Sequence, residues 1–199
     1  MKKTICLFLA LSLCSLIMAH SARGAEQDQP EVLSILTEGK TNWNFISDPV
    51  DENDLHMVLQ AGVNTASAIN EQPWVITAIT DPEIISQLAD TQSSAKAPVM
   101  ILVSVTNTNE MKILDAGLAV QSMQIAARAL GYATKIETAP ARTVRNDESG
   151  EWAEKLGIPA DKSARAVLFI GHADEAADAV TSASSRAEFD SIVHFVTAK

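Results

Sequence analysis

The chain has 199 residues, a formal net charge of −10, 47% hydrophobic residues and 20% charged residues. A chain of this length and composition can bury one sizeable core, which excludes bulk disorder and an assembly of three domains. A nucleic-acid binder or a polybasic membrane-surface protein would carry the opposite net charge. We therefore expect no nucleic-acid partner.

The first 24 residues have the pattern of a secretory signal peptide. Lys2 and Lys3 precede an apolar run over residues 5–19, and Ala22-Arg23-Gly24 then forms an A-x-G cleavage site before Ala25. The run is shorter than the ~20 residues that span a bilayer, so an uncleaved anchor is the less favoured alternative. We predict a mature domain over residues 25–199 that is exported, periplasmic or secreted, with no stable membrane insertion after cleavage.

Cysteine and histidine usage limits the chemistry of the mature domain. Cys6 and Cys14 both lie inside the predicted signal peptide. The mature domain then has no thiol, which excludes disulfides, cysteine nucleophiles, zinc-thiolate sites and iron–sulfur clusters. Its histidines, His56, His172 and His194, lack metal-ligand spacing. We therefore predict no metal site.

Helix and strand signals alternate through the first half of the domain without a repeat or a low-complexity linker. Asp51 and Asp81 are N-cap candidates, and Pro82 follows the second of them at a first helical position. In chain order the patterns predict a helix over 30–37, a helix opened by Asp51, a loop over 62–73, a strand over 74–80, a helix over 83–89 and a strand buried on both faces over 98–105.

Residues 111–130 predict the longest helix, ended by Gly131 at the C′ position. Apolar and small residues lie almost all round it, which is typical of a buried helix. In a domain of this size the covering layer can be a second subunit, and we predict a homodimer centred on this helix. A charge at Ala119 or Met123 should disrupt it. Between Ile113 and Leu130 the polar residues are Asp115, Gln121, Ser122, Gln124 and Arg128.

The rest of the domain predicts a strand over 133–136, a helix over 150–156, a strand over 164–171 and a last strand over 191–196. Helices and strands are mixed without regular βαβ spacing. We therefore predict an α+β fold in which a central mixed sheet is flanked by helices.

The segment 67–74 carries the most specific signal. Its sequence, S-A-I-N-E-Q-P-W, resembles the P-S-x-x-N-x-Q-P-W signature of the nitroreductase family, flavin enzymes that hold FMN at a homodimer interface. Without a wider match, Asn70 would be a turn residue and Trp74 a core residue. The wider match runs in order over residues 35–196, through Phe45, Pro49-Val50, Ala97-Pro98-Val99, Asp115-Ala116-Gly117, Gln121-Ser122-Met123, Ala129-Leu130-Gly131, Leu156-Gly157-Ile158-Pro159, Phe169-Ile170-Gly171 and 186–193.

This resemblance implies a phosphate site for FMN. In the family an early Arg-x-Ser and a late arginine hold the phosphate; here Arg186 matches the late arginine, and Thr41 can replace the serine as a hydroxyl donor. Gly39 stands in place of the first arginine, so Lys40 is the only charge left in that loop. Two cations instead of three or four would weaken FMN binding by about tenfold to a hundredfold.

The resemblance also implies residues at the flavin ring. Ser67, Asn70 and Gln72 of the signature are expected at the isoalloxazine ring and the ribityl chain, and the backbone of Thr138-Ala139 is expected to face the ring. Trp43 stands where the family has a second cation near the pyrimidine edge.

The implied function is an FMN-dependent oxidoreductase with ping-pong hydride transfer from a reduced donor through FMN to a small organic acceptor. The cofactor carries that chemistry, so we predict no catalytic side chain. A non-enzymatic relative that keeps the fold as a binding or accessory module is the alternative. NAD(P)H is scarce outside the cytoplasm, and the signal lacks a twin-arginine pair, which favours that alternative. A generic α+β ligand binder unrelated to flavins is the third possibility.

Overall fold

The computed structural model describes residues 31–38, 40–106, 110–178 and 185–197. The predicted signal peptide and Gly39 lie outside these residues. Residues 35–199 form one compact unit, and of the N-terminal unit, residues 1–34, only residues 31–34 are described. Within the described ranges, no helix combines the length and apolar character that crossing a membrane requires.

Helices and strands alternate, as the sequence predicted. In chain order they are α1 Glu31–Glu38, β1 Phe45–Ile46, α2 Glu52–Val63, β2 Trp74–Ile79, α3 Pro82–Leu88, β3 Val99–Thr106, α4 Glu110–Ala129, β4 Ala133–Glu137, α5 Ala139–Arg145, α6 Glu151–Lys155, β5 Lys162–Ala173, α7 Glu175–Asp178 and α8 Phe189–Ile192. Single 3-10 turns occupy Ala68–Asn70 and Ser94–Lys96. The α+β class is confirmed.

The strands form a sheet around β5, which pairs with β1, β3 and β4, while β2 pairs with β3. Each of these described pairings is antiparallel, whereas the sequence analysis expected a mixed sheet. The connection between β2 and β3 contains a helix and is long enough for either direction. The direction of the strands could therefore not be predicted from the sequence, because only short hairpin turns force antiparallel pairing.

Strand β3 is buried on both faces, as predicted. Met100 and Leu102 point into one core cluster, and Val99, Ile101 and Val103 point into the other. Burial of each such side chain contributes roughly 1.5–3 kcal/mol. The first cluster includes Ile85 of α3 and Ala141 of α5, and the second includes Val58 of α2 and Met123 of α4.

Local capping fixes the helix starts that the sequence predicted. The Asp51 carboxylate accepts hydrogen bonds from the N–H groups of Asn53 and Asp54 at the start of α2. Asp81 opens α3 in the same way, with Pro82 in the first turn. These bonds satisfy N–H groups that have no partner inside the helix.

Two glycines act on helix α4. Gly131 ends it with a φ of 86°, which confirms the predicted C′ glycine, because side chains with a Cβ rarely adopt that conformation. Gly62 of α2 lies against Met123 of α4, where a Cβ would come 2.7 Å from the Met123 sulfur. The close approach of α2 and α4 therefore depends on the missing side chain.

One side of α4 packs on the chain's own sheet and the other side is exposed. Ala119 and Met123 are fully buried in the core, so a charge there disrupts the fold of one chain rather than a subunit contact. The sequence analysis placed them at the dimer centre because an all-round apolar helix does not reveal which side meets its own sheet. The exposed apolar face of α4 consists of Met111, Ile113, Leu114, Gly117 and Leu118.

The predicted last strand over 191–196 is wrong. That segment contains the end of α8 followed by residues outside regular structure, and Phe195 and Val196 are among its exposed apolar side chains. Apolar and β-branched residues favour a strand, but a strand also needs a sheet edge, and no described strand pairs with this segment. Helix α5 and strand β1 were not predicted. Strand β1 has two residues and is defined only by its pairing with β5.

Candidate functional site

A polar pocket of about 220 Å³ lies against the C-terminal half of α4, and we call it the basic pocket. The loop before β1 contributes Lys40 and Thr41, and the C-terminal segment contributes Arg186. Three of the predicted site residues therefore line the same pocket, although Arg186 is distant from Lys40 and Thr41 in the sequence. The remaining lining residues are Ile35, Leu36, Gln121, Gln124, Ile125 and Arg128.

The loop that carries Lys40 and Thr41 is fixed to strand β4 through Asn42. The backbone N–H of Asn42 donates to the Thr134 carbonyl at 3.2 Å, and the Asn42 side-chain oxygen accepts from the Thr134 N–H at 3.2 Å. Asn42 is itself buried. This double contact holds the backbone at the mouth of the basic pocket.

Asp178 of α7 holds the same loop from the other side. Its carboxylate accepts hydrogen bonds from the Asn42 and Asn44 side-chain amides and from the backbone N–H groups of Trp43 and Asn44, at 2.8–3.1 Å. Partial burial raises the pKa of Asp178, but the hydrogen bonds outweigh it and the pKa lies below its ordinary value. Asp178 is therefore an ionised anchor of the loop at neutral pH. The sequence analysis missed it, because no motif marks an isolated aspartate as a loop anchor.

Arg128 is a third cation in the basic pocket that the sequence analysis did not assign. Its side chain is 13% exposed; Nη1 donates to the Ile35 carbonyl at 2.7 Å, and Nη2 donates to the Glu38 carboxylate at 3.0 Å. A signal for this pocket was present in the sequence, since positions 121, 124 and 128 have the spacing of one helical face on an otherwise apolar helix.

The signature segment forms a tight turn between α2 and β2, which we call the signature turn, residues 67–72. The Ser67 hydroxyl oxygen accepts a hydrogen bond from the Gln72 N–H at 2.9 Å. The Asn70 side-chain oxygen accepts from the Gln72 amide at 3.3 Å. The three predicted residues Ser67, Asn70 and Gln72 thus contact one another and lie at one place on the surface.

The backbone of the signature turn is strained. Ile69, Asn70 and Gln72 have φ values of 51°, 58° and 47°, in the left-handed region that favours glycine. Asparagine tolerates this region, but a β-branched isoleucine adopts it at a cost of about 1–2 kcal/mol. The Ile69 side chain is 94% exposed, so it gains no packing in return. Backbone strain of this kind occurs preferentially at functional sites.

Two contacts tie the signature turn to the N-terminal half of α4. The Asp115 carboxylate, which is buried, accepts a hydrogen bond from the Ala68 N–H at 3.1 Å. Lys112, also buried, forms an ion pair with Glu71. The second carboxylate oxygen of Asp115 has no hydrogen-bond partner among the described residues. Asp115 is therefore the buried support of the turn.

Within one chain the signature turn and the basic pocket lie at different ends of α4. The turn contacts Asp115, whereas the pocket includes Gln124, nine positions further along the helix (124 − 115). Nine helical residues correspond to about 14 Å. Six of the predicted site residues therefore form two separate groups in the single chain: Lys40, Thr41 and Arg186 at the pocket, and Ser67, Asn70 and Gln72 in the turn.

The other two predicted positions, Thr138 and Ala139, both lie after β4. Thr138 is exposed and precedes α5, Ala139 begins that helix, and neither lines the basic pocket. Trp43, 39% exposed, has its indole ring over the Lys135 ammonium, 4.8 Å from the ring centre. Lys135 is buried and ion-paired with Glu137. A cation, the Lys135 ammonium, therefore lies against the Trp43 indole.

Solved structures show which fold this arrangement belongs to. A nitroreductase with bound FMN from Desulfitobacterium hafniense superposes with a TM-score of 0.73 at 19% identity, over 85% of this chain and 100% of that chain. A nitroreductase with bound FMN from Bacteroides fragilis superposes with a TM-score of 0.71 at 18% identity, over 85% of this chain and 100% of that chain. The chain has the nitroreductase fold. An FMN-dependent nitroreductase from Clostridium difficile superposes with a TM-score of 0.66 at 20% identity, over 83% of this chain and 99% of that chain. No protein-family model matches the chain, and no curated protein matches it significantly.

The nitroreductase fold confirms the architecture that the motif resemblance implied, and the basic pocket can be tested for its fit to FMN. Three cations and one hydroxyl converge in a pocket of phosphate-binding character, formed by Lys40, Thr41, Arg128 and Arg186. These donors fit a phosphate monoester. Among the described residues, no group of three or more His, Cys, Asp or Glu side chains could hold a metal ion.

Proposed function

We propose that this chain is an exported FMN-dependent oxidoreductase of the nitroreductase type. The basic pocket is the observation that carries the proposal, because Lys40, Thr41 and Arg186 meet there from opposite ends of the domain. Similar solved structures of the nitroreductase fold contain FMN. A phosphate monoester carries close to two negative charges at neutral pH, which suits three neighbouring cations.

Each group of residues has one task in this proposal. The basic pocket binds the phosphate, and the polar side chains of Ser67 and Asn70 orient the ring and the ribityl chain. Bound FMN would supply two-electron hydride chemistry between a reduced donor and a small organic acceptor in ping-pong order. We assign no catalytic side chain, because no proton transfer by the protein is required.

We further propose that the active form is a homodimer. The exposed apolar face of α4 supports this, since Ile113, Leu114 and Leu118 are each at least 42% exposed in one chain. Gly117 in its middle has open space where a side chain would be, which lets a second helix approach closely.

A two-fold dimer would also complete the site. If two copies of α4 cross antiparallel near Gly117 and Leu118, positions 112–115 of one copy oppose positions 121–124 of the other, because a two-fold contact is self-complementary. The signature turn of one chain then faces the basic pocket of the second. The separation of the two residue groups within one chain is consistent with this arrangement.

Export is part of the proposal, and the charged, apolar and small-residue pattern of residues 1–24 supports it. Intact-mass measurement on protein recovered from outside the cytoplasm checks this. The expected mass corresponds to a chain that starts near Ala25. A mass that includes Met1 and the apolar run would overturn the export proposal without affecting the flavin proposal.

The absorbance of protein purified from its native compartment tests the enzymatic proposal. We expect flavin absorbance near one FMN per chain and reduction of that flavin by a reduced nicotinamide or another two-electron donor. A colourless protein that does not bind added FMN would support the binding or accessory module instead.

Paired variants test the residue assignment. Asn70→Ala and Arg186→Ala should each weaken FMN binding in a fluorescence titration. The Arg186→Ala effect should be larger at low salt, because screening weakens a charge contact. Arg142→Ala is the matched control, since Arg142 is exposed on α5 and does not line the basic pocket. Unchanged FMN affinity in both site variants would show that the assignment is wrong.

A further inference from the structure

We propose that Arg128 is a phosphate-binding residue of this chain, and that with Lys40 and Arg186 it binds the terminal phosphate of a phosphorylated ligand. This inference rests on the proposed function in naming FMN as that ligand. Arg128 takes over the charge that the family supplies from the loop before β1, where this chain has Gly39.

The geometry of the guanidinium supports this role. Arg128 lines the basic pocket, and the hydrogen bonds that the structure describes for it, to Ile35 and Glu38, use two of its five donors. Ile35 lies in the last turn of α1, so these two bonds attach the guanidinium to the end of that helix. The side chain is thereby held at the pocket with donors remaining, and a fixed planar guanidinium suits two-point binding of a phosphate.

Burial distinguishes Arg128 from ordinary surface arginines. Its side chain is 13% exposed, whereas Arg186 and Lys40 are exposed residues. A charge that is shielded from water interacts more strongly with an anion, and salt screens it less. The helical spacing with Gln121 and Gln124 orients it towards the pocket rather than towards the sheet.

Removal of the Glu38 charge should have the opposite effect to removal of the Arg128 charge. Its carboxylate accepts from Arg128 Nη2 at 3.0 Å, but it is 59% exposed and does not line the basic pocket. An anion near a phosphate-binding arginine opposes phosphate binding. Removal of the Glu38 charge should therefore strengthen phosphate binding, whereas removal of the Arg128 charge should weaken it.

The alternative is a purely structural role, in which Arg128 stabilises the end of α1 and contacts no ligand. The two roles predict different effects on ligands with and without a phosphate, so a comparison of FMN with riboflavin distinguishes them. Riboflavin carries the same ring and ribityl chain without the phosphate. A structural defect would weaken both flavins, whereas loss of a phosphate contact weakens FMN alone.

The experiment uses the mature full-length chain with Arg128→Gln, Arg128→Lys, Glu38→Gln and the control Arg142→Gln, each titrated with FMN and with riboflavin by flavin fluorescence. Arg128→Gln should weaken FMN about tenfold to a hundredfold and riboflavin less than twofold. Arg128→Lys should recover part of the loss, since lysine keeps the charge without the planar geometry. Arg142→Gln should leave both affinities within twofold.

Unchanged FMN affinity in Arg128→Gln, or equal losses for FMN and riboflavin, would overturn the inference. If Arg128→Gln does not fold, Glu38→Gln decides: a gain of about twofold to fivefold for FMN alone at low salt supports the inference, and no gain overturns it.

Failure of the proposed function is a separate outcome. If the wild-type chain binds neither flavin, inorganic phosphate becomes the probe, and the midpoint of thermal unfolding is the readout. A phosphate-dependent rise of that midpoint in the wild type that is absent in Arg128→Gln would retain Arg128 as a phosphate-binding residue of a non-flavin protein. No rise in the wild type would overturn the inference together with the proposed function.

Discussion

The signature turn and the basic pocket are built in opposite ways. The turn is local: residues 67–72 bond to one another, and one buried carboxylate, Asp115, supports them from α4. The pocket is assembled from four separate parts of the chain and depends on side-chain charge.

The two halves therefore depend on different features of the sequence. The turn needs a left-handed backbone at three of its six residues, Ile69, Asn70 and Gln72, and few other sequences supply that conformation. A cation can reach a phosphate from any segment that borders the pocket. Arg128 on α4 can thus compensate for Gly39, and the basic pocket contains three cations rather than the two that the sequence analysis expected.

The largest expected effect comes from separating the two halves of the site. Leu118→Asp, on the exposed apolar face of α4, should give a folded monomer that binds FMN poorly, because turn and pocket no longer meet. Met123→Asp places a charge in the core and should cost more than about 4 kcal/mol, which leaves insoluble protein. Sedimentation and FMN titration check both variants. A Leu118→Asp dimer with normal FMN affinity would contradict the proposed arrangement.

The next largest effect concerns the flavin potential. Trp43→Lys should raise the midpoint potential of bound FMN by tens of millivolts, up to about 90 mV, because a unit charge ~4 Å away stabilises the reduced ring by at most about 4 kcal/mol. The variant should also lose about 1 kcal/mol of stability, since a second ammonium replaces the indole over Lys135.

Trp43→Phe is the control for that experiment, because it keeps an aromatic ring and adds no charge. Spectroelectrochemical titration should find its potential equal to that of the wild type. A lowered or unchanged potential in a folded Trp43→Lys variant would place Trp43 away from the flavin.

A smaller effect is expected at the anchor of the pocket loop. Asp178→Asn should reduce the free energy of unfolding by about 1–2 kcal/mol at pH 7, because the amide cannot accept all the hydrogen bonds that the carboxylate accepts. The folded-state pKa of Asp178 is lowered, so its contribution is present above the unfolded-state pKa and is lost as pH falls through the folded-state value.

Denaturant unfolding at several pH values measures this contribution. The difference between wild type and Asp178→Asn should shrink below about pH 4. A difference that is constant from pH 7 to pH 3 would show that the carboxylate charge does not hold the loop.

The smallest effect is expected in the signature turn. Ile69→Gly should raise the free energy of unfolding by about 0.5–1 kcal/mol, because glycine adopts the φ of 51° without a steric cost and the exposed side chain loses no packing. The same change at Ile136, an exposed residue of β4, should lower stability. Equal losses at both positions would remove the case for strain in the turn.

The sequence determined the elements whose signals are local. The caps Asp51 and Asp81, the C′ Gly131 and the doubly buried β3 are all as predicted, because each depends on neighbouring residues or on a run of side chains. The ordered motifs also indicated the nitroreductase fold, and the solved structures confirm that fold.

Tertiary structure decided everything that depends on pairing between distant segments. It set the antiparallel direction of the strands, left residues 191–196 without a sheet edge, and turned Ala119 and Met123 inward. It also brought Arg128 to Lys40 and Arg186 and placed Asp178 on the pocket loop. The helical spacing of positions 121, 124 and 128 marks one face of α4 but does not say which segments meet that face, because separation along the chain carries no information about distance in space.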